Sequence, residues 1–242
     1  MEEIKIIFDK SMDKIEKDMY TNVLKNSMEE FIERYGIDYK LINWITIHND
    51  KSNELEDYEG LFVHYRKIIN IYGVKYIYDF TKISEVLFHE LNHAKFEKEI
   101  EDSDLESRRK YYIDDYAIVF ENEYKAYYNT YEHYLRSLGF AGKYYFKLIN
   151  YLKDTEVGLN NGKYSDIKKI NLLARKVAII KIFTEYKEEY KRYFKDEKEE
   201  YYQKYLDKCV DLQNNLLLSE LAMSNRDKVY QKLHEKIRNM IS

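Results

Sequence analysis

Five consecutive residues, His89-Glu90-Leu91-Asn92-His93, form the H-E-x-x-H pattern. Residues four apart on a helix differ by about 40° in direction and about 6 Å in rise, so both imidazoles can bind one metal ion from the same helix face. Glu90 follows the first histidine directly, which places its carboxylate beside the ion, where it can accept a proton from an activated water. The pattern predicts hydrolytic metal chemistry with His89 and His93 as ligands and Glu90 as general base.

Chance is the simplest alternative for this pattern. With 6 histidines and 44 acidic residues among 242, multiplying frequencies gives about 0.03 chance occurrences. The motif also lies within an apolar helical stripe that follows a β-rich segment, not within a charged loop. Metal binding is therefore the better interpretation of these residues.

A catalytic zinc requires a third protein ligand and an open position for water. Glu121 and Glu123 lie on the next predicted helix, and helical spacing lets only one of them face the ion well. We favour Glu123, because Ala126 lies one turn further on its face and would let the two helices approach closely. Glu121 stays open as the alternative, and a solvated surface charge is the alternative for either glutamate.

The first part of the chain mixes strand-like and helical patterns. Apolar and β-branched runs predict strands in a small, mostly antiparallel sheet, and a 3.6-residue period predicts helices, one of them N-capped by Thr81. The predicted strands are Ile4–Phe8, Leu41–Ile47 and Leu61–Tyr72, the last pairing with Val74–Tyr78 across Gly73, and the predicted helices are Ser11–Tyr35, Thr81–Lys98 and Tyr111–Leu138.

The second part of the chain is predicted to be helical. Proline is absent and glycine occurs only 7 times, so long helices meet few breaks. From Ile179 to Leu216, apolar and aromatic residues recur mostly every three to four positions, which predicts one long amphipathic helix or two in line. We therefore expect an α+β part over residues 1–142 and a helical part over residues 143–242, which could pack on the first as one unit.

Composition argues against several classes of protein. The net charge of -4 gives no global attraction for phosphate backbones, and the aromatic segment Thr184–Lys208 carries 8 acidic against 7 basic residues, so nucleic acid is not an expected partner. The single cysteine, Cys209, allows no internal disulfide. No apolar run of bilayer length and no secretory layout at Met1–Lys5 is found, so we expect a cytoplasmic protein without a membrane segment.

Two segments resemble a known group of enzymes. Leu87-Phe88-His89-Glu90-Leu91-Asn92-His93-Ala94 and Glu121-Asn122-Glu123-Tyr124-Lys125-Ala126-Tyr127-Tyr128 look like the gluzincin metallopeptidases, most nearly the small cytosolic peptidases of the ImmA/IrrE type. In that type the first segment reads close to H-E-L-G-H-A, so Asn92 stands where glycine is common. The resemblance implies a zincin-like fold, zinc bound by His89, His93 and Glu123, and Glu90 as general base.

The sequence thus predicts a zinc metallopeptidase that hydrolyses peptide bonds of a protein or peptide substrate. A Tyr hydroxyl or a His would help to stabilise the oxyanion, and Tyr127, Tyr128 and His133 are the candidates near Glu123. One rival is a helical interaction protein, for which the C-terminal helices would form a homo-oligomer interface. The other rival is a zinc-binding or degenerate zincin fold that serves in regulation.

Overall fold

The computed structural model describes most of the chain in segments, namely residues 4–36, 41–50, 59–74, 80–102, 116–137, 141–186, 188–189 and 226–241. The chain divides into two compact units, Met1–Glu106 and Ser107–Ser242. The first unit contains strands and helices, and all the regular secondary structure described in the second is helical, so the fold is α+β with a small sheet. This division falls before the helix that carries Glu123, and the boundary after residue 142 stays a prediction.

Four short strands form one mixed sheet in the first unit. They are β1 (Lys5–Phe8), β2 (Trp44–Ile47), β3 (Gly60–Val63) and β4 (Ile68–Ile71), in the order β1-β2-β4-β3. β1 is parallel to β2 and β2 is parallel to β4, whereas β3 is antiparallel to β4. The expected mostly antiparallel sheet is therefore wrong. A long helix returns the chain from β1 to the same end of the sheet, and this connection makes β2 parallel to β1.

The β-rich stretch Leu61–Tyr72 contains both partners of the antiparallel pair. A 3₁₀ turn at His64–Arg66, followed by Lys67 in the left-handed region at φ 51°, reverses the chain between β3 and β4. The predicted pairing with Val74–Tyr78 falls largely outside the described residues.

Two long helices complete the described part of the first unit. α1 (Lys14–Tyr35) begins with a capping box, in which Asp13 accepts from the Glu16 amide, and ends at Gly36 with φ 62°. α2 (Phe80–Glu101) packs on β3 and β4, and α1 packs on α2. α2 begins one residue before Thr81, so Thr81 lies in its first turn and is not the predicted N-cap.

The core of the first unit follows from the two-residue period of its strands and the 3.6-residue period of its helices. In β2 the alternate residues Ile45 and Ile47 are buried, as the period of two requires. The inner strand β4 buries Ile68, Ile69 and Ile71 and packs against α2. Between the helices, the rings of Phe31 and Phe88 lie 4.9 Å apart in a T-shaped contact. Phe88 directly precedes His89, so this contact fixes the part of α2 that carries the motif.

The second unit is described as four helices: α3 (Tyr116–Ser137), α4 (Ala141–Leu159), α5 (Asp166–Glu185) and α6 (Arg226–Ile241). α5 is the central element and packs against the other three. Its buried residues point in most directions around the axis, as expected for a helix enclosed by neighbours. Of the predicted helix from Ile179 to Leu216, only the part up to the end of α5 and the pair 188–189 is described.

No described helix combines the length and the hydropathy that crossing a bilayer would need.

Candidate metal centre

The two histidines of the motif converge on one point beside α2. His89 Nε2 and His93 Nε2 are 3.0 Å apart, and their rings are nearly perpendicular, at 89°. Both side chains are partly buried. The i,i+4 spacing has therefore placed both Nε2 atoms on one face, as the sequence predicted.

This separation fits a shared metal ion. Nitrogen ligands about 2.0–2.1 Å from a tetrahedral zinc lie about 3.3 Å from one another, close to the separation in the structure. A direct imidazole hydrogen bond has similar geometry, but it requires one Nε2 to carry a proton and the other to accept it. The donor set of two imidazole nitrogens and a carboxylate fits zinc, and ligand atoms of His89, Glu90 and His93 all lie within 4.8 Å of one another.

Glu90 is held by the strand at the end of the sheet. Its Oε2 accepts a hydrogen bond of 2.7 Å from the backbone N–H of Phe62 in β3. The side chain is 5% exposed, so the amide compensates a carboxylate that is largely withdrawn from water. Because this N–H donates to a side chain of α2, it forms no hydrogen bond with the neighbouring strand β4. The carboxylate is thus fixed beside the two imidazoles.

Asn92 has a structural role within the same helix. It is buried, and its Nδ2 donates to the carbonyl oxygen of Phe88 at 2.9 Å. This bond satisfies the amide without using the face that carries the histidines. Asn92 therefore fits this position of α2, where the peptidases that the motif resembles commonly have glycine.

The two candidate third ligands lie on α3, in the second unit. Glu121 is 1% exposed, and its Oε1 pairs with Lys125 Nζ at 2.9 Å on the same helix. Glu123 is partly buried, and the Oε2 atoms of both glutamates are shielded from solvent. The pairing with Lys125 engages Glu121 within its own helix. The assignment of Glu123 as third ligand stays a prediction.

The candidate oxyanion donors are engaged inside the second unit. Tyr127 donates to Asn171 Oδ1 at 2.8 Å and Tyr128 donates to Glu185 Oε2 at 2.5 Å. Burial, and then the hydrogen bond to Glu185, raise the pKa of Tyr128 well above its ordinary value. His133 is 5% exposed and lies against Ser137 and Tyr134. These contacts give all three side chains a structural role in the helical unit.

Sequence reasoning missed two contributors to the site, Gly60 and Phe62. Gly60 is buried at the start of β3, and a Cβ added there would lie 2.6 Å from Glu90 Oε1. Phe62 acts through its backbone, which leaves no trace in the side-chain pattern. The available signal was the glycine that opens a β-rich run, since such glycines often mark a close approach of another group.

Comparison of the chain with protein-family models, with curated proteins and with solved structures gave no match. The assignment of this site therefore depends on its own residues and their geometry.

Proposed function

We propose that this protein is a zinc-dependent metallopeptidase of the zincin type, with His89 and His93 as metal ligands and Glu90 as general base. The observation that supports this most is the 3.0 Å separation of the two Nε2 atoms next to a buried carboxylate. A pair of structural histidines would not need an acidic neighbour held by a backbone amide.

The chemistry divides between the ion and the protein. Zinc, when bound, supplies Lewis-acid activation of water and of the scissile carbonyl. The Phe62 N–H orients the Glu90 carboxylate through Oε2, and this carboxylate would accept the proton of the attacking water. Glu90 then delivers that proton to the leaving amine. No nucleophilic side chain is required.

The position of β3 favours a peptide as substrate. β3 is the terminal strand of the described sheet, and Phe62 turns its N–H towards Glu90 and away from β4. Since the N–H and C=O of one strand residue point to the same side, the Phe62 carbonyl also faces this outer side. An extended peptide alongside β3 would run past the proposed general base. It would pair through the outward Phe62 carbonyl, because the Phe62 N–H is already bonded to Glu90.

Glu123 is proposed as the third protein ligand. Ala126, one turn further on the face of Glu123, is a small and fully buried residue, which supports this choice. Glu123→Gln should weaken zinc binding strongly, and Glu121→Gln should weaken it much less. If Glu121→Gln alone releases the metal, the two roles are reversed.

The activity is tested by cleavage of casein and of a peptide library with zinc-loaded protein. Glu90→Gln should retain zinc and lose about 10²–10⁴-fold in rate, the contribution of a positioned acid–base group. Glu99→Gln, an exposed glutamate on the same helix, is the matched control and should keep full activity. Zinc binding without any cleavage would instead support the rival function, a zinc-containing binding or regulatory protein.

A further inference from the structure

We propose that Gly60 is a positioning residue for Glu90, because its missing side chain leaves the space that the catalytic carboxylate occupies. This inference rests on the proposed function of Glu90 as general base. It adds a residue outside the motif to the determinants of activity.

The space around Gly60 is filled from one side by α2. A Cβ added to Gly60 would lie 2.6 Å from Glu90 Oε1, 2.9 Å from Glu90 Cγ and 2.7 Å from Val86 Cγ1. Val86 and Glu90 are four residues apart on α2, so one helix face lies directly against the Cα of Gly60. Distances below 3 Å between carbon atoms cannot persist, and any side chain here forces a displacement.

The Glu90 carboxylate is the group that moves most readily, while the contact with Val86 requires β3 and α2 to separate slightly. Val86 is β-branched and 7% exposed, and such a side chain has essentially one rotamer in a helix. Glu90 has three side-chain torsions and can turn its carboxylate away from Gly60. That rotation would also break the hydrogen bond to the Phe62 amide, which lies only two residues along β3.

Gly60 is therefore needed for the space that it leaves to the charged Glu90 carboxylate. Gly36 and Gly73, in contrast, have positive φ values of 62° and 69°. This left-handed backbone conformation favours glycine and explains both residues. A Cβ added to Gly162 would have no atom within 4 Å, and the φ of Gly162 lies outside the left-handed region. Gly162→Ala is thus a matched control for the Gly60→Ala substitution.

The first test compares catalysis and metal content. In Gly60→Ala we expect one zinc per chain, an almost unchanged KM, and a kcat about 100-fold lower, because a displacement of about 1 Å can have such an effect. Gly162→Ala should behave as wild type. In a Glu90→Gln background, which has no carboxylate base left to displace, Gly60→Ala should cause no further loss of kcat. Full activity of Gly60→Ala, or an equal loss in both backgrounds, would overturn the proposal.

The second test needs no activity. Thermal unfolding of the metal-free protein is measured for Gly60→Ala, Glu90→Ala and the double variant, and the Tm loss from Gly60→Ala should be smaller when Glu90 is alanine. Additive Tm shifts would overturn the proposal. If the wild-type protein cleaves no peptide while the Tm shifts remain coupled, the proposed function fails and the contact stands.

Should Gly60→Ala not fold, the same cycles are measured in a Val86→Ala background. This variant removes the Cγ1 atom that the added carbon would meet and leaves Glu90 as the close contact. Coupling to Glu90 is then expected to persist, and its loss would show that Gly60 only accommodates the packing of Val86.

Discussion

The carboxylate of Glu90 accepts a hydrogen bond of 2.7 Å from the backbone N–H of Phe62, which links the motif helix to the terminal strand of the sheet. This bond makes the orientation of the Glu90 carboxylate depend on β3 and not on α2 alone. It also brings the strand that we propose for peptide binding next to the proposed general base.

The contribution of the Phe62 amide is tested by Phe62→Pro, which removes the N–H. Proline is tolerated on terminal strands where the N–H is not part of a ladder, so the sheet should persist. Since a hydrogen bond to a charged group contributes about 1.5–3 kcal/mol, we expect kcat for peptide hydrolysis to fall about tenfold or more.

Phe62→Leu is the control for this change, because it alters the side chain and retains the N–H. It should keep most of the activity, with zinc content unchanged in both variants. Equal rates for Phe62→Pro and Phe62→Leu would show that the amide does not orient Glu90.

The packing of Phe88 should govern the stability of the motif helix. Phe88 is fully buried, and its ring contacts Phe31 at 4.9 Å. Phe88→Ala should lower the free energy of unfolding by about 3–5 kcal/mol and weaken zinc binding, because His89 follows on the same turn. Denaturant unfolding with and without zinc measures both effects. Phe88→Leu should cost only about 1 kcal/mol, and a similar loss in the two variants would contradict the account.

Alkaline pH should destabilise the helical unit through Tyr128. Burial and the hydrogen bond to Glu185 raise the pKa of this phenol, so the folded state retains the proton more tightly than the unfolded state does. Its contribution is complete below the ordinary tyrosine pKa of about 10 and is lost as the pH rises further.

Unfolding free energies measured across this range should therefore fall more steeply with pH for the wild type than for Tyr128→Phe. The exposed Tyr65→Phe variant is the control for general effects of removing a phenol. If the unfolding free energy falls equally steeply with pH in the wild type and in Tyr128→Phe, protonation of Tyr128 is not coupled to folding.

The sequence predicted those features that depend on local spacing. The convergence of His89 and His93 follows from helix periodicity, and the strands at Lys5–Phe8 and Trp44–Ile47 lie within the predicted β-forming runs. The mixture of parallel and antiparallel strands could not be predicted from local spacing. It depends on the path of α1, which connects the end of β1 to the start of β2.

The close turn between β3 and β4 escaped prediction for a specific reason. Its left-handed residue is Lys67, at φ 51°, where glycine or asparagine would have been the usual signal. The arrangement of Gly60 and Phe62 around Glu90 was equally hidden. It arises only when β3 approaches α2 in the folded unit, over a separation of 28 residues between Phe62 and Glu90.

Metal analysis of protein purified without a histidine tag decides whether His89 and His93 form a metal site. We expect one zinc per chain in the wild type and in the control His64→Ala, whose exposed histidine lies in the 3₁₀ turn. We expect loss of the metal in both His89→Ala and His93→Ala. A wild-type protein that binds no zinc when zinc is supplied in excess, or two histidine variants that retain it fully, would show that these residues are not the ligands.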